Sequence, residues 1–258
     1  MAYPNLTVTF LGTGTSSGVP LIGCSCPVCT SPDSKDNRLR SSILVQSAKT
    51  TLVVDTTPDF RYQMLRVPVP QLDAVLFTHF HKDHIAGLDD IRAYNYFSQK
   101  SMNVFATSAT QESLKREFSY IFSDKRYPGI PQVDLHTIND KVFTVGDIDV
   151  IPIPVMHMDL PVLGFRFGPF TYITDANFID RSGMELIMGS DTLVLNALRK
   201  EKHISHFSLS EARQVSEKVG VRNTYLTHIS HQLGRHTEIN QELPPNVQLA
   251  YDGLKLHF

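Results

Sequence analysis

The segment Thr78–His84, T-H-F-H-K-D-H, carries four metal-ligand side chains within six residues. They are His79, His81, Asp83 and His84. Imidazole and carboxylate ligands in one cluster are typical of zinc or manganese sites, where the metal activates water for hydrolysis. The alternative interpretation is a polar loop in which three histidines occur without a shared role.

An apolar run, Asp73–Phe77 (D-A-V-L-F), directly precedes this motif and predicts a buried strand. Packing of that strand would fix the backbone just before the ligands and so aim them. His79 and His81 would point the same way if the strand geometry continued through them. We expect Asp83 and His84 on the turn beyond, where they can serve a second ion.

The three cysteines of the chain form a second cluster, Cys24, Cys26 and Cys29, in G-C-S-C-P-V-C. An odd number of cysteines so closely spaced fits a metal site better than a disulfide framework. Three thiolates need a fourth ligand, usually histidine, to complete a tetrahedral zinc site. The alternative is a loop with three reduced structural thiols.

The composition indicates a folded protein, since 41% of its 258 residues are hydrophobic and 19% are charged. The net charge is −2 and no basic block occurs, which argues against a broad nucleic-acid surface. No apolar run reaches the ~18 residues that cross a membrane. The first residues, MAYPNLTVTFLG, do not resemble a signal peptide. We expect a cytoplasmic protein with no membrane partner.

Short apolar runs alternate with turn signals along the chain and predict seven further strands and three helices around the motif. The further strands are expected at Leu6–Leu11, Ser42–Val45, Thr51–Val54, Asp147–Pro154, Leu163–Phe167, Thr171–Thr174 and Arg222–Thr227. Helices are expected at Asp89–Gln99, Ser108–Phe122 and Ser208–Val219, the last opening on a capping box. The glycine loop Gly12–Gly18 lacks the P-loop ending, and we expect it to approach the site closely. No linker divides the chain, so residues 1–258 are expected to form a single domain.

Three more ligand-type side chains follow apolar strand-like runs: His157, Asp175 and His228. Any one of them alone is more simply a turn or surface residue. Their shared position at strand ends indicates that they belong to the same site as the motif.

T-H-F-H-K-D-H resembles the H-x-H-x-D-H motif of the metallo-β-lactamase superfamily, and the three later residues match its remaining ligand positions in order. The resemblance implies an α/β (α+β) fold, a four-layer αββα sandwich with the metals at the edge between two sheets. It implies two divalent ions, zinc or manganese. One would be held by His79, His81 and His157. The other would be held by Asp83, His84 and His228, with Asp175 bridging the two.

The cysteine cluster, the glycine loop before it and the spacing from His228 to His231 resemble a narrower subgroup, the phosphoribosyl cyclic phosphate phosphodiesterases. That resemblance implies a structural zinc site built from Cys24, Cys26, Cys29 and His231. The ion would join segments about 200 residues apart, and structural zinc contributes on the order of 10 kcal/mol of apparent binding energy. A closed tetrahedral site has no open position, so we assign it no catalytic role.

The same resemblance makes His206 the general acid and counts Asp83 among the catalytic residues. A histidine before a helix can instead cap or pack, and His203 is a competing candidate. Asp55 resembles an aspartate that orients a ligand histidine through its other ring nitrogen. Three arginines are candidates for contacting substrate phosphate: Arg38, Arg40 and Arg61. Three histidines are expected to be structural or surface residues: His136, His236 and His257.

We therefore expect a dinuclear phosphodiesterase acting on a small cyclic or diester phosphate. The sequence leaves the oligomeric state open, with a homodimer as one candidate. A ribonuclease Z-like endonuclease shares the ligand set, but Asn177–Lys202 contains no long basic arm and S-H-F-S replaces the H-E-A-T of that family. Thioesterase, glyoxalase or lactamase chemistry shares the metals too. A non-catalytic metalloprotein, like the member of this fold in pyrroloquinoline quinone synthesis, would be expected to have lost ligands, and all seven are intact here.

Overall fold

The apolar runs of the sequence form two seven-stranded sheets in the computed structural model, which describes residues 3–124 and 127–258. In chain order the strands are β1 (Thr7–Gly12), β2 (Ser42–Gln46), β3 (Thr51–Val54), β4 (Ala74–Leu76), β5 (Met102–Ala106), β6 (Val133–Thr137), β7 (Phe143–Val145), β8 (Ile148–His157), β9 (Leu160–Phe167), β10 (Phe170–Ile173), β11 (Thr192–Asn196), β12 (Asn223–Thr227), β13 (Val247–Leu249) and β14 (Lys255–His257). The helices are α1 (Phe60–Arg66), α2 (Lys82–Ile85), α3 (Arg92–Ser98), α4 (Ser108–Glu117), α5 (Arg181–Ile187), α6 (Leu209–Val219) and α7 (His236–Glu242).

Each sheet is antiparallel on one side and parallel on the other. The first has the order β14-β1-β2-β3-β4-β5-β6 and is parallel from β3 to β6. The second has the order β13-β12-β11-β10-β9-β8-β7 and is parallel from β10 to β13. Parallel neighbours need crossover connections, and the helices supply them: α1 to α4 serve the first sheet, and α5 to α7 the second.

Three apolar clusters hold the layers together. The middle one joins the two sheets through side chains such as Phe10, Ile43 and Tyr172. The outer clusters pack helices on each sheet, with Leu114 of α4 on the first and Ile239 of α7 on the second. The predicted αββα order of layers is therefore confirmed. Among the described residues, no helix combines the length and the hydropathy that crossing a bilayer requires.

The strand before the metal-ligand motif is shorter than predicted. It ends at Leu76, because the backbone N–H of Thr78 donates to the Asp55 carboxylate (2.9 Å) instead of continuing the ladder. His79 therefore lies in a loop after β4, so the condition under which strand geometry would align His79 and His81 is not met. The expected turn beyond them is the single-turn helix α2.

The helix predictions hold in position but not in every boundary. The predicted helix from Asp89 begins as a 3-10 turn, Leu88–Ile91, and stops at Gln99, whose φ is 55°. The next helix ends at Glu117, five residues earlier than expected, and Thr107 caps it. The capping box of Ser208 and Glu211 at the start of α6 is confirmed.

Candidate metal centre

Strand ends from both sheets deliver the ligand-type side chains to one edge of the sandwich. Asp55 follows β3 directly and His228 follows β12 directly. Asp175 lies two residues beyond β10, and His157 is the last residue of β8. Since carboxyl ends of parallel strands share one sheet edge, side chains far apart in sequence meet there.

Three of these positions have backbone angles that non-glycine residues rarely adopt. The φ values of Asp55, Asp175 and His228 are 67°, 59° and 54°. The left-handed conformation costs a non-glycine residue roughly 1–3 kcal/mol, so it persists only where the surrounding structure enforces it. Here it turns the chain away from each strand at the residue whose side chain enters the site.

The first ligand group consists of three histidines. Each of His79, His81 and His157 offers a ring nitrogen, and the three nitrogens lie within 4.8 Å of one another. His157 donates its Nδ1 proton to the backbone carbonyl of Ser205 (2.7 Å), which leaves Nε2 as the acceptor. Nε2 of His79 is buried and has no hydrogen-bond partner among the described residues. A cation would satisfy these nitrogens.

The second ligand group contains two carboxylates and two imidazoles: Asp83, His84, Asp175 and His228. Nε2 of His84 lies 3.2 Å from Asp83 Oδ2 and 3.3 Å from Asp175 Oδ2. Asp175 Oδ1 lies 3.0 Å from Nδ1 of His228, and its Oδ2 lies 3.9 Å from Nε2 of His79. Asp175 therefore stands between the two groups, the position expected of a bridging ligand.

The electrostatics of the cluster fit divalent cations. Burial, followed by the charge of His84, lowers the pKa of His79 well below its ordinary value, which keeps that ring neutral. Burial works to raise the pKa of Asp175, but His228 and His84 outweigh it and hold this carboxyl ionised. Burial works to lower the pKa of His84, but the carboxylates of Asp175, Asp83 and Asp55 raise it well above its ordinary value, so a metal ion would displace the proton of this ring. The neutral His79 and the ionised Asp175 already have the protonation states that bind zinc or manganese.

Asp55 lies beneath the second group and orients one of its ligands. Its Oδ2 accepts the Nδ1 proton of His84 (2.7 Å) and the hydroxyl of Thr78 (2.8 Å), and its Oδ1 accepts the Thr78 backbone N–H. This contact leaves Nε2 of His84 directed at Asp83 and Asp175. The role expected of Asp55 from the sequence agrees with its position.

The cysteine cluster meets a histidine from the other end of the chain. Ligand atoms of Cys24, Cys26, Cys29 and His231 lie within 4.8 Å of one another. Nδ1 of His231 is 3.5 Å from Cys24 Sγ and 3.4 Å from Cys26 Sγ, and all three cysteines are free. The Cys29 N–H and then His231 lower the pKa of Cys26 to about 6, so this thiol ionises readily, as a metal ligand must.

His206 lies against both ligand groups. Its ring centroid is 4.6 Å from that of His157 and 4.8 Å from that of His228. Burial and then His228 lower its pKa to about 3. The competing candidate His203 stacks on the outer side of His206 at 5.4 Å, and its Nδ1 is 3.1 Å from the hydroxyl of Ser205. Of the two candidates, His206 therefore lies against the two ligand groups, with His203 packed on it.

The arginine candidates are mostly engaged elsewhere. Arg38 is buried and donates to Thr13 Oγ1 (2.8 Å) and to the Ala250 carbonyl (2.6 Å), which makes it a structural link. Arg40 pairs with Asp59 at 3.0 Å. Arg61 is exposed, and its charge only partly offsets the burial that raises the pKa of Asp90.

The three histidines expected to be structural or surface residues lie away from both ligand groups. His136 stacks on Phe105, and His257 contacts Thr7. His236 is buried beside Arg38, at 3.2 Å.

Two contacts at the site escaped sequence reasoning. Thr15 Oγ1 lies 3.3 Å from Nε2 of His228, on the glycine loop expected to approach the site. A Cβ at Gly14 would lie 2.8 Å from the Arg38 carbonyl, which shows how closely that loop packs. The other contact is the Ser205 carbonyl on His157, and a backbone group leaves no signal in the side-chain pattern.

Comparisons with known proteins agree with this geometry. A family profile described as a beta-lactamase superfamily domain matches residues 50–229. A crystal structure of a diphosphatase from the PhnP family superimposes with a TM-score of 0.93 at 42% identity, covering 98% of this chain and 97% of that one. A ribonuclease Z from Mycobacterium sp. (strain KMS) is 25% identical over 241 residues, 81% of this chain and 83% of its own.

Another relative is a longer protein. An octanoyltransferase from Porphyromonas gingivalis is 37% identical over 248 residues, which is 95% of this chain but 50% of that protein. The chain thus spans about half the length of this curated relative, whose name describes the whole. The profile match over residues 50–229 and the PhnP-family likeness together show that the chain belongs to the beta-lactamase superfamily of metallo-hydrolases, as a PhnP-like member.

Proposed function

We propose that the chain hydrolyses a small cyclic or diester phosphate, using two divalent ions, zinc or manganese, in its active site. The observation that carries this proposal is Asp175 standing between two complete ligand groups, with the ring of His206 against both. That arrangement suits in-line attack on one phosphorus atom, with a proton donor near the departing oxygen.

Divalent ions bound in these groups would supply an activated water and draw charge from a phosphoryl oxygen. The chain supplies the remainder. Ser205 and Asp55 hold the rings of His157 and His84 in one tautomer through their Nδ1 protons, so that both Nε2 atoms face the ligand groups. The strand ends fix the distance between the two ligand groups.

His206 supplies the proton for the departing oxygen in this proposal. Burial keeps its imidazole neutral before substrate arrives, with a pKa of about 3. A phosphate dianion or monoanion beside the ring raises that pKa, because an opposite charge favours the protonated form. The ring then holds a proton that it can donate to the leaving group.

A third ion, structural zinc, belongs in this proposal to Cys24, Cys26, Cys29 and His231. Thiolate ligands select zinc over manganese. Since His231 follows His228 by three residues, fixing it to the cysteine loop also fixes the turn that carries the active-site ligand.

The direct test is turnover of bis(p-nitrophenyl) phosphate and of ribosyl or nucleoside cyclic phosphates by protein loaded with manganese or with zinc. We expect release of p-nitrophenol or ring opening, lost in Asp175→Ala and kept in the surface variant Asp140→Ala. Metal-replete protein that turns over none of these substrates would contradict the proposal.

A diphosphate linkage is the second candidate substrate. The likeness to a PhnP-family diphosphatase at 42% identity favours it, and its hydrolysis also breaks a P–O bond at phosphorus. Release of phosphate from diphosphates, measured in the same preparations, separates the two. A ribonuclease Z activity would instead appear as cleavage of a precursor tRNA, which we do not expect because Asn177–Lys202 holds only α5, β11 and short loops.

We also propose that the protein works beside an octanoyltransferase. The support is the Porphyromonas gingivalis relative, in which a region like this chain occupies half of a protein with that name. Sedimentation of the chain with and without an octanoyltransferase from the same organism tests the association. The same runs measure the oligomeric state of the chain alone, for which a homodimer is one candidate.

A further inference from the structure

Three exposed apolar side chains lie on chain segments that also carry residues of the metal centre. Met158, Phe178 and Ile204 are 48%, 56% and 73% exposed. Single exposed apolar residues are ordinary on protein surfaces and need no explanation. These three lie on different chain segments, and each segment also carries a residue of the metal centre.

One amide side chain ties the three segments together. Asn177 Oδ1 accepts the backbone N–H of Met158 (2.8 Å), and its Nδ2 donates to the backbone carbonyl of Ile204 (3.0 Å). Its neighbour Phe178 accepts the N–H of Met156 (2.9 Å). The backbone segments that carry the three apolar residues are therefore joined by specific polar contacts, and we call these residues the apolar rim (Met158, Phe178 and Ile204).

The apolar rim is continuous with the metal centre through the backbone. Met158 directly follows the ligand His157, and Ile204 precedes His206 by two residues. Ser205 lies between Ile204 and His206, and its backbone carbonyl accepts the His157 ring proton at 2.7 Å. Met158 also has a φ of 55°, a costly conformation for methionine, so the turn that presents it is held by its surroundings.

We propose that the apolar rim binds an aliphatic chain carried by the substrate phosphate, so that the substrate class is a phosphate ester of an alkyl or acyl-bearing group. This inference rests on the proposed function and deepens it. A phosphate held at the metal centre places its substituent at the entrance, and an aliphatic chain lying there covers apolar surface that is otherwise exposed to water. A sugar without an aliphatic chain would leave the apolar rim exposed to water.

Calorimetric binding of methyl, butyl and octyl phosphate to the metal-replete protein tests the inference without requiring turnover. We expect the affinity for octyl phosphate to exceed that for methyl phosphate about tenfold, since burying roughly two methylene groups is worth that much. Ile204→Ser should remove most of the gain. Met158→Asn should reduce it too, and asparagine tolerates the positive φ.

Met188→Ser is the matched control, because Met188 is 49% exposed but follows α5, at the opposite end of the second sheet from the metal centre. It should leave the chain-length preference unchanged. Equal affinity for the three phosphates, or a preference that both rim variants retain, overturns the inference. The two proposals can also fail separately. If the protein shows the chain-length preference but hydrolyses no p-nitrophenyl alkyl phosphate, the phosphodiesterase proposal is contradicted and the binding role of the apolar rim is supported.

Discussion

Asp55 accepts the Nδ1 proton of His84 at 2.7 Å, and both side chains are completely buried. The contact determines which nitrogen of His84 faces the second ligand group. The same aspartate directly follows β3 in the left-handed region, with a φ of 67°.

Replacing this aspartate should weaken metal binding without unfolding the protein. In Asp55→Asn the shape and the positive φ are tolerated, but the negative charge that strengthens His84 as a ligand is lost. We expect metal affinity to fall about 10–100-fold. Competition with a chromophoric chelator measures the change, and Asp140→Asn in an exposed loop is the control. Unchanged affinity would rule out the orienting role.

Removing the proposed proton donor should slow turnover most for poor leaving groups. His206→Gln is expected to reduce kcat about 100-fold or more on alkyl esters, because an alkoxide needs a proton as it departs. The loss should be much smaller on p-nitrophenyl esters, whose leaving group is stable as an anion. Metal content should not change, and His257→Gln, an exposed histidine on β14, should behave as wild type. An equal loss on both ester types argues against His206 as the acid.

Breaking the cysteine cluster should lower stability and remove one metal equivalent per chain. We expect Cys26→Ser to cost roughly 3 kcal/mol, which corresponds to a fall in Tm of about 10 °C for a domain of this size. Ser25→Ala, whose exposed side chain lies between two of the cysteines, should change neither metal content nor Tm. Metal analysis and thermal unfolding of both variants check this. A Cys26→Ser protein with its full metal content would contradict the zinc assignment.

His236 should make the protein less stable in mild acid. Burial and then the charge of Arg38 lower its pKa to about 4, and Arg38 Nη2 lies 3.2 Å from Nδ1, where a protonated ring could not accept its hydrogen bond. Because the unfolded chain takes up this proton near pH 6.5, the stabilisation is complete above that pH and is lost progressively as pH falls towards 4.

We expect this histidine to account for about 1 kcal/mol of the difference in unfolding free energy between pH 7 and pH 5. Urea unfolding at both values measures it. The pH dependence should be shallower in His236→Gln by that amount, whereas His257→Gln should keep the wild-type slope. Identical slopes in wild type and His236→Gln would contradict the assignment.

Local sequence patterns identify much of this site. Ligand chemistry depends on side-chain type, so T-H-F-H-K-D-H and G-C-S-C-P-V-C predict metal ligands from the sequence alone. Apolar alternation marks the strands, because one face of each must be buried. Whether the whole chain is a single domain stays a prediction.

Proximity between distant residues is what folding adds. No local pattern shows that Asp175 lies between two ligand groups, that Thr15 contacts His228, or that His231 lies beside the cysteines. These distances depend on how the strands are ordered and how the loops after them pack. Nor does any side-chain pattern reveal the Ser205 carbonyl on His157 or the amide of Asn177 that joins segments carrying the apolar rim. The sequence by itself determines the residue types and their short spacings. Backbone contacts and distances between the sheets are decided only when the two sheets pack and their strand ends converge.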